Sequence, residues 1–190
     1  MSMKYKEAIM ERKKILTWEM LGILFTFMIG AFLHFTFELS GFWEPMALIS
    51  GVNESVWEHL KIGFWPAFVW GIIEFFIFRK KVKNFFFAKA ISYLILPVII
   101  VTLFYGYTLI FNIESLAIDI VIFFIAIAVA QIVSYRLMLM RERKISLNVL
   151  GAVIIIINII LFSLLSYFPP KCPLFKDPVT GGYGIVEHNH

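Results

Sequence analysis

The sequence has little of what a soluble enzyme normally contains. Only one cysteine, Cys172, occurs in 190 residues, which excludes an internal disulfide framework and any site held by several thiolates. Charged residues make up 16% of the chain, against about a quarter in an average soluble domain. No Walker loop, dinucleotide-binding fingerprint, H-E-x-x-H or G-x-S-x-G segment is present. Nucleotide hydrolysis, zincin chemistry and serine-hydrolase chemistry therefore have no support in the sequence.

Long apolar runs are what the sequence has instead. Hydrophobic residues make up 61% of the chain, 21 residues are Phe, and the mean hydropathy is +0.86. A helix of about 20 apolar residues spans the hydrocarbon core of a bilayer and satisfies its own backbone hydrogen bonds there. The pattern predicts an all-α, polytopic transmembrane bundle that forms a single domain over residues 1–190. Its five predicted helices cover residues 15–39, 60–78, 85–111, 115–140 and 147–168.

The basic residues fall on one side of this bundle. Of the 17 Lys and Arg residues, all except Lys61, Lys171 and Lys176 lie before the first helix or in and beside the loops that follow the second and fourth. Because cytoplasmic loops are enriched in Lys and Arg, we predict a cytoplasmic N-terminus and an outer C-terminus. Basic clusters between apolar runs indicate contact with anionic lipid headgroups and no binding of nucleic acid. The predicted partners are membrane lipids.

Ionisable side chains concentrate on the outer side. All four histidines and eight of the 13 acidic residues fall there under this topology. His34 and Glu38 are one helical turn apart, and Glu54 and Glu58 repeat that spacing beside His59. Imidazole and carboxylate groups are typical zinc ligands, and ionisable residues near a membrane are costly to keep. The arrangement indicates a functional site.

These residues predict a site for a divalent metal, with zinc as the candidate ion. His34, Glu38, Glu58 and His59 are the predicted ligands, and Glu54 is the predicted general base. Zinc lowers the pKa of a bound water to about 7, which makes a nucleophile near neutral pH. Seven further residues are predicted to support the site or bind substrate: Asn53, Trp57, Lys61, Tyr105, Asp119, Asp177 and Tyr183.

Structural roles explain some of the same residues without a metal. Ser55-x-x-Glu58 is also a capping box, and Asn53 is a good N-cap residue. His34 can simply hydrogen bond to Glu38, and an acid near a helix start complements the helix dipole.

The inner half of the bundle has fewer polar residues. We predict that Glu74 pairs with Arg79 or Lys80, which follow it, and that Glu19 extends toward the inner surface. Gln131 is expected to hydrogen bond between helices.

Two segments outside the helices are long enough to cover the outer end, the loop 40–59 and the tail 169–190. A pair of prolines ends the fifth helix, and Asp-Pro followed by Gly-Gly is typical of turns. A disordered tail would have no use for Phe175 and Tyr183, so we predict an ordered lid. The last residues, including His188 and His190, are expected to be mobile.

A set of motifs runs through the chain: Gly30-x3-His34-x3-Glu38, Val-Asn-Glu-Ser-Val-Trp-Glu-His-Leu-Lys at 52–61, Pro66, Phe175-x-Asp177-Pro178 and Tyr183-Gly184. With these motifs the chain resembles a family of small multi-pass membrane proteins of unknown function that is common in Gram-positive bacteria. The likeness covers essentially the whole chain, and Asn-Glu-Ser-x-Trp-Glu-His is its specific part. The resemblance implies a location, the bacterial cytoplasmic membrane, and a multi-pass fold, but no reaction.

The site is also similar in concept to that of the transmembrane ceramidase and progestin-receptor-like hydrolases. Those proteins have seven helices and a motif set with a Ser, an Asp and three His, so both the helix count and the histidine spacing differ.

Three function classes follow from these observations. The first is a metal-dependent hydrolase of a lipid or lipid-linked substrate at the outer leaflet. The second is a transporter or binder of a small solute, ion or proton, for which a homodimer would supply further helices. The third is a non-enzymatic subunit of a membrane complex, whose outer lid contacts a partner.

Overall fold

The computed structural model describes residues 3–141 and 144–185, so the end of the tail with His188 and His190 lies outside the described residues. Within these ranges the chain forms five α-helices, two short 3-10 helices and one isolated β-bridge. The α-helices are α1 (Met3–Leu39), α2 (Val56–Phe78), α3 (Phe85–Phe111), α4 (Leu116–Met138) and α5 (Ile145–Leu164).

Each of the five helices is long and apolar enough to cross a membrane, which confirms the all-α polytopic fold. The starts of α1 and α2 differ most from the predicted ones. α4 begins one residue later and ends two residues earlier than predicted, and α5 begins two residues earlier and ends four residues earlier. α1 begins at Met3 because the polar segment before its apolar run is rich in Lys, Glu and Met, which favour helix. α2 begins at Val56, so the last four residues of the predicted loop 40–59 are helical.

α2 packs between α1 and α3. α3 also packs against α4 and α5, and α4 returns to α1. The interior is largely aromatic: Phe64 stacks on Phe162 with ring centres 4.7 Å apart and meets Tyr93 edge-on at 5.6 Å. Many large apolar side chains on the outside of the helices are exposed, among them Met28, Phe32, Val98 and Leu109. Because such faces are covered by hydrocarbon in a membrane, the chain is a multi-pass membrane protein in contact with lipid.

Two irregular segments cover one end of the bundle, which we name the outer end after the side on which the charge pattern places it. The loop between α1 and α2 contains a 3-10 helix at Glu44–Leu48, and the tail after α5 contains another at Pro173–Phe175. Trp57, at the start of α2, stacks on both Phe162 and Phe175 at 4.7 Å. These stacked rings attach the described part of the tail to the bundle.

Candidate metal centre

A close approach of α1 to α2 sets the position of two histidines. A Cβ atom on Gly30 would lie 2.9 Å from the Ile62 carbonyl oxygen and 2.8 Å from Cζ of Phe123, so only glycine fits without a shift of the helices. His34 lies one turn further out on α1, and His59 lies three residues further out than Ile62 on α2. The antiparallel crossing therefore places both imidazoles on the same level at the outer end.

His34, Glu54 and His59 form a compact group of potential metal ligands, which we call the outer triad. The two Nε2 atoms are 3.3 Å apart, and Oε2 of Glu54 lies 3.4 Å from His34 Nε2 and 3.8 Å from His59 Nε2. In a tetrahedral zinc site with bonds of about 2.0–2.1 Å, two ligand atoms lie about 3.3–3.4 Å apart. Two of the three separations have this value, and the third needs a shift of a few tenths of an ångström.

The hydrogen bonds of the outer triad bring its ligand atoms together around a proton on Nε2 of His34, which a bound metal would displace. Nδ1 of His59 lies 2.9 Å from the Ser55 carbonyl oxygen, which can only accept, so Nδ1 donates and Nε2 is the ring nitrogen left to bind a cation. The hydrogen bond from His34 lowers the pKa of Glu54 below its ordinary value, against the opposing effect of burial. The carboxylate of Glu54 is therefore ionised at neutral pH, as a metal ligand has to be.

A cleft of about 260 Å³ opens beside the outer triad. His34 and Glu54 form part of its wall, and their side chains are 27% and 49% exposed, so the triad can be reached from outside. Glu38, one turn beyond His34, is exposed and lines the same cleft without belonging to the triad. The remaining wall is formed by Phe37, Phe42, Gly51, Val52, Asn53, Asp177, Val179 and Thr180.

The tail holds the loop that carries Glu54. Asp177 accepts hydrogen bonds from the backbone N–H groups of Glu54 at 3.3 Å and Thr180 at 3.1 Å. Asn53 donates to the Gly184 carbonyl oxygen at 2.7 Å and accepts from the Ser55 N–H at 2.8 Å. Asp177 and Asn53, both predicted to support the site, thus contact the segment next to the triad.

Glu58 and Lys61 form a buried ion pair away from the outer triad. Nζ of Lys61 lies 2.5 Å from Glu58 Oε2 and donates to the Ala47 carbonyl oxygen at 2.8 Å and to Ser166 Oγ at 2.6 Å. Ser166 in turn donates to Glu58 Oε1 at 2.7 Å, and the Val52 N–H donates to Oε2 at 3.2 Å. Glu58, predicted as a ligand, therefore has its carboxylate engaged in fixing the outer loop and the end of α5.

The other predicted supporting residues make different contacts. Trp57 belongs to the aromatic stack below the tail, and Tyr183 forms the backbone bridge that closes the tail. Asp119 accepts a hydrogen bond of 2.7 Å from the Tyr107 hydroxyl, at the turn between α3 and α4. Tyr105 packs edge-on against a neighbouring phenylalanine of α3.

A family model matches the chain over residues 3–185, and its description is Family of unknown function (DUF6512). The chain belongs to this family. Searches of curated proteins and of solved structures gave no significant match. Membership in DUF6512 supplies no reaction, ligand or residue role, so the function has to be argued from the site.

This DUF6512 protein also contains a buried charged group that the sequence did not predict. Lys89 forms ion pairs with Glu19, at 3.1 Å, and with Glu74, and Ser134 donates to Glu19 at 2.6 Å. Glu74 thus pairs with α3 and not with the loop that follows it, and Glu19 is buried and does not extend to the surface. Both sequence predictions are wrong, because Lys89 lies 70 residues from Glu19 and 15 residues from Glu74, and such pairs leave no local spacing to recognise.

Removing one partner of the Glu58–Lys61 pair is expected to destabilise the protein. Lys61→Met leaves a buried carboxylate without its cation, and breaking a buried pair in this way costs about 3–5 kcal/mol. Thermal unfolding in detergent, followed by tryptophan fluorescence, should show a clearly lower midpoint. Lys81→Met is the matched control, because Lys81 pairs with Glu11 at the exposed surface, where a pair contributes about 0–1 kcal/mol. Equal midpoints for the two variants would contradict the structural role of the buried pair.

Widening the crossing of α1 and α2 is expected to separate the two histidines. Gly30→Val places atoms against the Ile62 backbone, which has no freedom to move aside, so the helices have to shift. We expect at least a tenfold weaker affinity for zinc, measured by competition with a chromogenic chelator. Gly106→Ala is the control, because a Cβ atom on Gly106 meets no atom within 4 Å. Unchanged zinc affinity in Gly30→Val would show that the crossing does not position the triad.

Proposed function

We propose that the protein is a zinc-dependent hydrolase of the bacterial cytoplasmic membrane, which cleaves an ester or amide bond in a lipid or lipid-linked substrate at the outer leaflet. The observation that carries the proposal is the outer triad, whose two imidazoles and one carboxylate converge next to an open cleft. The cleft lies at the outer end of the transmembrane helices, where the acyl part of a lipid would meet its polar part.

The number and kind of ligands favour a catalytic ion over a structural one. Structural zinc sites are closed by four protein ligands, whereas catalytic sites have three protein ligands and an open position. Two histidines and one glutamate are a common catalytic set. A zinc ion held by His34, Glu54 and His59 would supply a Lewis acid and lower the pKa of a water in the open position to about 7.

Glu38 is the best-placed general base in this arrangement. It lines the cleft beside His34 and is not engaged in the outer triad. Glu38 takes a proton from the attacking water as the water oxygen bonds to the acyl carbon, and then gives that proton to the leaving alcohol or amine as the acyl bond breaks. One water is consumed, and a carboxylic acid is released. The sequence assigned the base to Glu54 and a ligand role to Glu38, and the proposal exchanges these two roles.

The wall of the cleft favours a neutral scissile group. Glu38, Glu54 and Asp177 are acidic, and no Lys or Arg is among the described residues that line it. With zinc bound, these three acids would leave a net charge of about −1, which disfavours an anionic phosphodiester relative to an ester or amide carbonyl. Phe37, Phe42 and Val52 supply an apolar surface for an acyl chain.

Elemental analysis together with a hydrolysis assay tests the proposal. Protein purified in detergent, without an affinity tag that binds metal, should hold about one zinc per chain. It should cleave a long-chain p-nitrophenyl ester or a fatty-acid amide in mixed micelles, lose activity with a chelator, and regain it with added zinc. Protein that stays metal-free after dialysis against zinc, or activity that a chelator leaves unchanged, would overturn the proposal. Copurification of one stoichiometric partner with metal-free protein would favour a structural subunit instead.

A further inference from the structure

The second buried charged group lies far from the outer triad. Glu19 of α1, Glu74 of α2 and Lys89 of α3 contact one another at the opposite, inner end of the bundle, and we call them the inner triad. Each is at most 1% exposed. Glu74 follows His59 by 15 residues along α2, a rise of about 22 Å. The two groups are therefore separate sites.

The two carboxylates of the inner triad are not equivalent. Both oxygens of Glu19 accept from Lys89 Nζ, at 3.1 and 3.3 Å, and Oε1 also accepts from Ser134. Glu74 contacts Lys89 through Oε2, whereas its Oε1 is buried and has no hydrogen-bond partner among the described residues. An ionised carboxylate needs several donors when it is buried. Glu19 has three such contacts, whereas Glu74 has one close contact, with Lys89, and a weaker interaction with the Trp70 indole N–H.

The charges of the inner triad do not balance. Two carboxylates share one ammonium, which leaves a net charge of −1 if all three groups are ionised. The other polar side chains from the elements around Glu74, Tyr93 of α3 and Ser134 of α4, carry no positive charge. The basic residues of the loop after α2 begin one turn away at Arg79, but they are exposed, so water and salt screen them.

Two further donors near the inner triad are also poorly paired. Nε1 of Trp70, which interacts with the Glu74 carboxyl group from one turn away, and Nε2 of Gln131, one turn from Ser134, are buried and make no well-formed hydrogen bond within the described residues. Both face Gly22, where a Cβ atom would lie 2.4 and 2.3 Å from them. Polar atoms thus continue from the triad toward the middle of the bundle, and the Trp70 and Gln131 side chains fill the space that the small glycine leaves.

We propose that the inner triad binds a proton at Glu74, so that the protein carries one neutral carboxyl group beside the Glu19–Lys89 ion pair. Direct contacts between Lys89 and both acids leave no room for a metal ion between them. A proton needs no such room and removes the excess charge. The site can take up and release a proton within the transmembrane helices, a property that is independent of zinc at the outer end.

Infrared difference spectroscopy tests this assignment on the full chain in lipid. At pH 7 the wild type should show the C=O stretching band of one protonated carboxyl group, with the shift on deuteration that such a group gives. Glu74→Gln should abolish this band, and it should unfold at the same temperature as the wild type because glutamine imitates the neutral acid. Glu19→Gln should also abolish it, because Glu74 then becomes the only acid beside Lys89 and ionises.

Glu44→Gln, which removes an exposed acid of the outer loop, is the control and should leave the band unchanged. A spectrum in which Glu74→Gln removes no protonated-carboxyl band would show that Glu74 is ionised and would overturn the proposal. A large fall in the unfolding temperature of Glu74→Gln would contradict it as well. Neither result depends on zinc or on hydrolysis.

Discussion

Replacing His59 with alanine is expected to remove zinc from the protein and to abolish hydrolysis. His59 supplies one of three ligands, and its Nδ1 hydrogen bond to Ser55 already holds Nε2 toward the other two. Loss of a residue that only orients a ligand costs about 10–100-fold in metal affinity, so loss of the ligand itself should cost more. Zinc per chain, measured by elemental analysis after gel filtration, should fall from about one to near zero.

The terminal histidines provide the control for this experiment, because His188 and His190 could bind metal without taking part in the site. The double variant His188→Ala, His190→Ala should keep both zinc and activity. Loss of zinc from the double variant, with zinc retained in His59→Ala, would place the metal on the tail and contradict the outer triad as its site.

Replacing Glu38 with glutamine is expected to lower the rate of hydrolysis by about 10²–10⁴-fold and to leave zinc in place. The amide keeps the shape of the side chain but cannot take a proton from water. Since Glu38 lines the cleft without belonging to the triad, the metal content should not change. The acidic limb of the pH–rate profile of kcat/KM, which reports the ionisation of the base, should also disappear.

Glu44→Gln removes another exposed acid of the outer end and should retain the wild-type rate. If Glu38→Gln lost zinc together with activity, while Glu54→Gln retained zinc and lost activity, the roles assigned from the sequence would be correct and the exchange proposed here would be wrong.

The transmembrane fold could be predicted because hydrophobicity over about 20 residues is a sufficient signal for a spanning helix. The helix ends were harder to place. α2 begins at Val56, ahead of its apolar run, because Ser55 takes the extended conformation of an N-cap residue. The side-chain oxygen of Asn53 accepts the hydrogen bond from the Ser55 N–H, and the Glu58 carboxylate accepts one from the Val52 N–H. The two reciprocal bonds of a capping box, each from a backbone N–H of one residue to the side chain of the other, therefore do not form between Ser55 and Glu58.

The start of α2 also explains why Glu54 and Glu58 belong to different groups, although their spacing predicts one shared site. The spacing argument placed them on one helical face, but Glu54 precedes the helix and Glu58 lies within it. Glu54 is therefore free to face His34 from the loop, whereas Glu58 points toward Lys61 and Ser166. The number of histidines and acids predicts that the outer end carries a site. The three-dimensional structure is needed to separate the outer triad from the Glu58–Lys61 ion pair.

The inner triad could not be found from local spacing. The charge pattern groups Lys89 with the basic residues beside the inner loops. In the structure Lys89 lies in the first turns of α3 and is buried between acids from α1 and α2. Its partners come from parts of the chain 70 and 15 residues away. A general rule that ionisable residues within membrane helices are costly was the only available signal.

X-ray absorption at the zinc edge, on protein loaded with one equivalent of zinc, tests the metal centre most directly. The outer triad predicts that only nitrogen and oxygen atoms coordinate the zinc, at about 2.0–2.1 Å, and that two imidazole rings contribute scattering from more distant atoms. In His59→Ala the imidazole scattering should fall to that of one ring or disappear with the zinc. A shell of six oxygen atoms without imidazole scattering, or protein that does not take up zinc at all, would contradict it.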